Sequence, residues 1–155
     1  MAELDTLGHV RAVWQKMKGS SPIYDFLLSD VEILTAETGK VVSRLTLGSN
    51  HVNSRGTIHG AVSASLVDWA GGLAIASHGS EKSGASVDIH ISYIGTANVG
   101  DTIEIEGLAN KVGRSLAFTT VRIYKILDDK PGPMVATASH TKYISQTKVV
   151  GQVKE

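Results

Sequence analysis

Between Gly56 and Ser80 only one side chain is formally charged, Asp68, and it stands among Leu66, Val67, Trp69, Ala70 and Leu73. The stretch that contains it, Ile58 to His78, is rich in Ala and Leu, free of proline and apolar nearly all the way round. That pattern predicts a helix buried on most sides, so the rest of the chain must wrap it. With 155 residues there is material for about one domain around a single core.

The flanking segments supply the wrapping. Leu7, Val10, Val13, Trp14 and Met17 recur at intervals of three and four, which predicts a helix capped by Asp5 and stopped by Gly19-Ser20-Ser21-Pro22. Tyr24 to Leu28 is apolar and reads equally as a helical turn or an extended arm. Val31 to Glu37 and Val41 to Leu47 flank the turn Thr38-Gly39-Lys40 and read as a hairpin. Ala85 to Ile94 alternates, with Val87, Ile89, Ile91 and Tyr93 on one face and Ser86, Asp88, His90 and Ser92 on the other. Thr102 to Ala109, Leu116 to Leu127 and Met134 to Ile144 complete six strands, divided by the turns Lys111 to Arg114 and Asp128 to Pro133. The expected class is α+β: a curved antiparallel sheet of about six strands around one long helix, with short loops joining antiparallel neighbours. On this division residues 1–30 form a helix and arm, 31–146 the domain proper, and 147–155 a tail.

Composition removes several functions. Basic and acidic side chains number 15 each, for a formal net charge of zero, so no basic excess is available for a phosphate backbone, and nucleic acid is not an expected partner. There is no cysteine, which excludes disulfides, zinc–thiolate sites and a thiol nucleophile. His9, His51, His59, His78, His90 and His140 include no i, i+4 pair, so no metal is expected. The acidic start and the lack of an apolar run near the roughly 20 residues that span a bilayer lead to the expectation of a cytoplasmic protein without membrane insertion, association with a mitochondrion being left open.

Asp68 is then the residue to explain. A buried carboxylate without partners is costly, so it is either bonded to something specific or used as a base or nucleophile; a structural role remains the alternative. The segment Asn53-Ser54-Arg55-Gly56-Thr57-Ile58-His59-Gly60 leads into the helix, where the first N–H groups lack intrahelical acceptors. Gly60, without a Cβ, would let a ligand carbonyl approach such an N–H as in an oxyanion site, although glycines here could equally serve only turn and packing. Asn53 and His59 carry the same two readings, as site residues or as a turn residue and a core histidine. Gly60 and Asp68 lie eight positions apart, roughly 12 Å along one helix, so one carbonyl cannot meet both. If both are catalytic, the second must come from a second copy, in a two-fold homodimer with two shared sites.

Four blocks in order carry a resemblance: Asn53-x-x-Gly56-Thr57-Ile58-His59-Gly60 with Leu66-Val67-Asp68, Ser86-Val87-Asp88, Gly113-Arg114-Ser115-Leu116-Ala117-Phe118, and His140-Thr141-Lys142. From about Val31 to Ile144 the chain resembles the acyl-CoA thioesterases of the hotdog fold, in the phenylacetate-pathway-like branch that includes the thioesterase superfamily member 2 group. The resemblance implies that Asn53, His59 and Gly60 of one subunit orient and polarise the thioester carbonyl while Asp68 and Ser86 of the other activate water. It further implies that coenzyme A, as part of the substrate and not a cofactor, lies along Tyr93 to Asn98 and Lys111 to Leu116, with Asp88, Val112, Gly113, Ser115 and Tyr143 contributing and Lys111 and Arg114 meeting phosphates. Dimers that pair into a dimer of dimers are implied as well. The chain departs from the family at Ala61, where a second glycine is common, at Gly95, where proline is common, and in the longer Pro131-Gly132-Pro133 turn. The competing expectations are an enoyl-CoA hydratase or dehydratase using His59 and Asp68, and a non-catalytic acyl-CoA binder.

Overall fold

A computed structural model describes residues 5–145. The order is α1 (Thr6–Met17), α2 (Pro22–Leu28), β1 (Glu32–Glu37), β2 (Lys40–Thr46), a 3₁₀ turn at Ser49–His51, α3 (Gly60–Ala76), β3 (Ala85–Tyr93), β4 (Thr102–Val112), β5 (Leu116–Leu127) and β6 (Lys130–Tyr143). All six strands form one antiparallel sheet in the order β1-β2-β4-β5-β6-β3. Leu66, Trp69, Ala70 and Leu73 of α3 are buried with Val41, Leu45, Ile103, Ile105, Val121, Ile123 and Ala138 of the sheet in one core. The tail 147–155 lies outside the described residues.

The segment Tyr24–Leu28 is helical. Ser21 accepts from the Tyr24 N–H and Pro22 opens the first turn, where its missing N–H costs nothing. α1 and α2 join the same core: Val10, Val13, Trp14 and Leu28 are buried, and Trp14 meets Trp69 of α3 and Tyr24 of α2 edge-on, with ring centroids 5.4 and 6.1 Å apart. α3 begins at Gly60, two residues after the expected start. His59 has extended backbone, and its Nδ1 accepts from Ala61 N–H at 3.0 Å, capping the helix.

α3 sits unusually close to the sheet. A Cβ on Gly71 would lie 2.8 Å from Thr119 Oγ1 and 2.9 Å from His140 Nδ1, and one on Gly107 of β4 would lie 2.6 Å from the Ala70 carbonyl oxygen. Only glycine at these positions permits that approach.

Two expectations need correction. Short loops do join neighbours from β4 to β6, but β3 does not pair with β4, which already has β2 and β5 on its two sides. The chain crosses from Tyr93 to Thr102, and β3 lies against β6 at the far edge. The Asp128–Pro133 turn is also shorter than expected. Asp128 and Asp129 both adopt positive φ, 50° and 62°, making a two-residue hairpin loop, and β6 starts at Lys130. Pro131 and Pro133 lie in β6 before its pairing with β3 begins at Ala136, where the strand has a neighbour on one side only and tolerates proline.

Candidate active site

Three elements converge on Asp68 of α3. Its Oδ1 accepts from Ser86 Oγ of β3 and from Lys142 Nζ of β6, each at 2.9 Å, and its Oδ2 accepts from Tyr24 Oη of α2 at 2.8 Å. His140 Nε2 lies 2.9 Å from Ser86 Oγ and 3.8 Å from Asp68 Oδ1. The Asp68 side chain keeps 36% exposure, whereas that of Lys142 keeps 4%. The carboxylate therefore has one face in the protein and one open to a ligand.

Local backbone geometry explains how these groups meet. His140 and Lys142 are two apart on β6 and share its inward face with Ala138. On β3 the register steps from Ser86↔Lys142 to Asp88↔Thr141, a bulge that places one extra residue, Val87, between two successive partners. Strict alternation had grouped Ser86 with Asp88 and His90; the bulge turns Ser86 to the inward side with Ile89, where its hydroxyl reaches Asp68 and His140. Asp88 faces the other side of the sheet with Thr141 and reaches this cluster through its charge, which acts on His140.

The electrostatics follow from these contacts. Burial pushes the Asp68 carboxyl upward, but the charge of Lys142 and the hydrogen bonds from Lys142, Tyr24 and Ser86 outweigh it and hold its pKa below the ordinary carboxylate value. Burial, then the Lys142 charge, lower His140 below the usual imidazole value against the pull of Asp68, so its ring is neutral at physiological pH. Burial, then the charge and hydrogen bond of Asp68, push the Tyr24 phenol well up, so it remains a donor throughout the working pH range.

The other half of the expected site lies at the start of α3. Of the first-turn donors, Ala61 N–H is taken by His59 Nδ1, and Val62 and Ser63 N–H by the His59 carbonyl. Gly60 N–H meets no acceptor among the described residues. Tyr93 Oη donates to the Gly60 carbonyl at 3.1 Å, and its ring lies 3.4 Å from where a Gly60 Cβ would be. Asn53 is engaged within its own loop: Oδ1 accepts from the N–H groups of Arg55 and Thr57, and Nδ2 donates to Thr57 Oγ1. In this chain its side chain shapes the approach to α3.

The remaining expected residues divide between the two ends of β3. Tyr93 stays with Gly60, seven residues or about 23 Å of strand from Ser86. Lys111 and Val112 end β4 rather than lying in a turn, Gly113, Arg114 and Ser115 form the tight loop, and Leu116 pairs with Tyr143, which also pairs with Ala85. A cavity of about 700 Å³ opens here, lined by His78, Gly79, Lys82, Val112 and Gly113 among others, and a neighbouring one of about 400 Å³ includes Tyr143. Sequence reasoning gave no role to Tyr24, His140 or Lys142. For the last two a signal existed, two polar residues continuing the inward stripe of Ala138; for Tyr24 there was none.

The family model of the thioesterase superfamily matches residues 55–131, which hold Gly60, Asp68 and Ser86. The chain is 31% identical to human acyl-coenzyme A thioesterase 13 over 121 residues, 78% of this chain and 84% of that protein. Its structure resembles that of zebra fish thioesterase superfamily member 2 with a TM-score of 0.79 and 37% identity, covering 91% of this chain and 99% of the other. It also resembles thioesterase superfamily member 2 of Mus musculus with a TM-score of 0.76 and 28% identity, covering 92% and 98%. The six-stranded antiparallel sheet around α3 is thus the hotdog architecture, and the chain belongs to the thioesterase superfamily as a hotdog-fold thioesterase.

Proposed function

We propose that this enzyme hydrolyses acyl-CoA thioesters to a free carboxylic acid and coenzyme A. The observation that carries this reading is an ionised, half-open carboxylate, Asp68, bonded to a hydroxyl that can also hold water, Ser86. The name and extent of similarity of acyl-coenzyme A thioesterase 13 support coenzyme A as the thiol.

In the proposed reaction, water held by Ser86 loses a proton to Asp68 as its oxygen attacks the thioester carbonyl carbon. The carbonyl oxygen becomes anionic at Gly60 N–H, the positive end of α3, which stabilises the transition state more than the substrate. The tetrahedral intermediate then breaks its C–S bond, and the proton on Asp68 passes to the departing thiolate. His59, whose Nδ1 is committed to Ala61, presents Nε2–H on the carbonyl side. The pantetheine and nucleotide lie toward Gly113 and Tyr143, with Lys111 and Arg114 for phosphates and Val112, Ser115 and Leu116 walling the path.

Gly60 and Asp68 of one chain are too far apart for one carbonyl, so the reading requires a homodimer in which each site draws Gly60 from one subunit and Asp68 with Ser86 from the other. β3 supports it: this nine-residue strand is a sheet edge with Val87, Ile89 and Tyr93 exposed, the kind of edge that another strand covers. Further pairing into a dimer of dimers belongs to the same proposal, and light scattering reads both states.

The test is thiol release across short, medium, long and aromatic acyl-CoA substrates for the wild type and Asp68→Asn. The variant keeps size and loses the base, so kcat is expected to fall roughly 100-fold or more with KM little changed. Undiminished turnover in Asp68→Asn would refute the assignment.

A further inference from the structure

The two oxygens of Asp68 are not equivalent. Oδ1 already accepts two hydrogen bonds, from Ser86 and Lys142, and a carboxylate oxygen offers about two lone-pair directions. Oδ2 accepts one, from Tyr24 Oη at 2.8 Å. The oxygen with room for a reacting proton is therefore the one that Tyr24 touches.

Tyr24 is itself firmly held. Its ring lies edge-on to Trp14. The helix that carries it is tied down by Asn50 Nδ2, which donates to the Phe26 carbonyl, by His51 Nε2 on the Leu27 carbonyl at 2.6 Å, and by the buried Leu28. Asp25 Oδ1 accepts from Gly19 N–H at 2.7 Å, fixing the corner between α1 and α2. These contacts aim a phenol from α2 at the half-buried carboxylate of α3.

We propose that Tyr24 is a positioning residue for the hydrolysis: its hydroxyl fixes the rotation of the Asp68 carboxylate and leaves one lone pair of Oδ2 directed at the attacking water. The idea rests on Asp68 acting as the base. Two effects follow from removing the hydroxyl. The carboxylate loses the one hydrogen bond that holds Oδ2, so its rotation about Cβ–Cγ is set by the Oδ1 contacts alone, and a group that stabilised its charged form is lost. The other groups facing it, Ser86 of β3 and Lys142 and His140 of β6, stay in place, as does Asp88, which acts on His140 from across the sheet.

Tyr24→Phe keeps the ring against Trp14 and removes only the oxygen. Its kcat is expected to fall about 3- to 30-fold from lost orientation, with KM within about twofold. The acid limb of the pH–kcat/KM profile is expected to move to higher pH, because Asp68 then protonates more readily. A profile and kcat matching the wild type would overturn the proposal. So would a fall in kcat accompanied by a lowered melting temperature and an unmoved acid limb, which is the signature of packing alone. Asp68→Asn assayed in parallel separates the two claims. An active Asp68→Asn removes the base assignment itself, whereas an inactive one beside a wild-type-like Tyr24→Phe removes only the role of Tyr24.

Discussion

A lysine on the inward face of a sheet must leave its ammonium beside an anion, and Lys142 does so beside Asp68 at 2.9 Å. The pairing works in both directions: the lysine is tolerated in the interior because of the carboxylate, and the carboxylate stays ionised because of the lysine. Activity that needs ionised Asp68 is lost as pH falls through its folded pKa, which lies below the ordinary carboxylate value. Lys142→Met fills similar space without the charge, so burial acts on Asp68 unopposed by a neighbouring cation and its pKa rises. The acid limb of the pH–rate profile is expected to shift upward, while activity on the alkaline side falls by less than about tenfold, since the base itself remains. A pH profile of thiol release checks it, and an unmoved acid limb would show that Lys142 does not tune Asp68. Residues of this kind were only partly legible in the sequence. Asp68 stood out because nothing near it is charged, whereas Lys142 comes close to it only through pairing across 74 positions. No local pattern encodes such a distance.

Elements were more legible than contacts, and the exceptions have physical causes. The apolar stretch predicted α3 within two residues at either end, because a long apolar run without proline has few alternatives to a helix buried on most sides. The alternation of β3 was read correctly as a strand and incorrectly as a face for Ser86, because a bulge breaks period two and leaves no mark on composition. The place of β3 beside β6 was hidden for a related reason, since pairing order depends on which strand edges remain open and not on the order of the segments. What holds the site together at this scale is the close seat of α3. Gly71 lies one turn beyond Asp68, and a methyl there would press on Thr119 and His140. Gly71→Ala is therefore expected to lift α3 from the sheet, costing about 1–3 kcal/mol in urea denaturation. It should also weaken the Asp68–Ser86 contact, lowering kcat more than it raises KM. Stability equal to wild type would mean that the helix has slack the geometry does not suggest.

For the whole molecule, the open question is where a complete site is assembled, and the backbone at Gly60 offers a clean way to ask it. Gly60 is the first residue of α3, where proline is well tolerated, and the preceding His59 already has φ −73° and ψ 137°, the extended conformation that a following proline requires. Gly60→Pro should thus keep the helix start and delete one thing, the N–H that meets no acceptor. Alone, it is expected to be as inactive as Asp68→Asn. If each site takes Gly60 from one subunit and Asp68 from the other, a heterodimer of the two variants holds one site that is intact and one that lacks both groups. Unfolded and refolded together in equal amounts, the two inactive proteins would form heterodimers as half of all dimers and recover about a quarter of wild-type thiol release. A site built within a single chain predicts no recovery at any mixing ratio, because every site would then lack one group. The experiment therefore turns a distance along one helix into a count of active sites, and a mixture that stays silent while each variant is folded and dimeric would reject the shared-site reading.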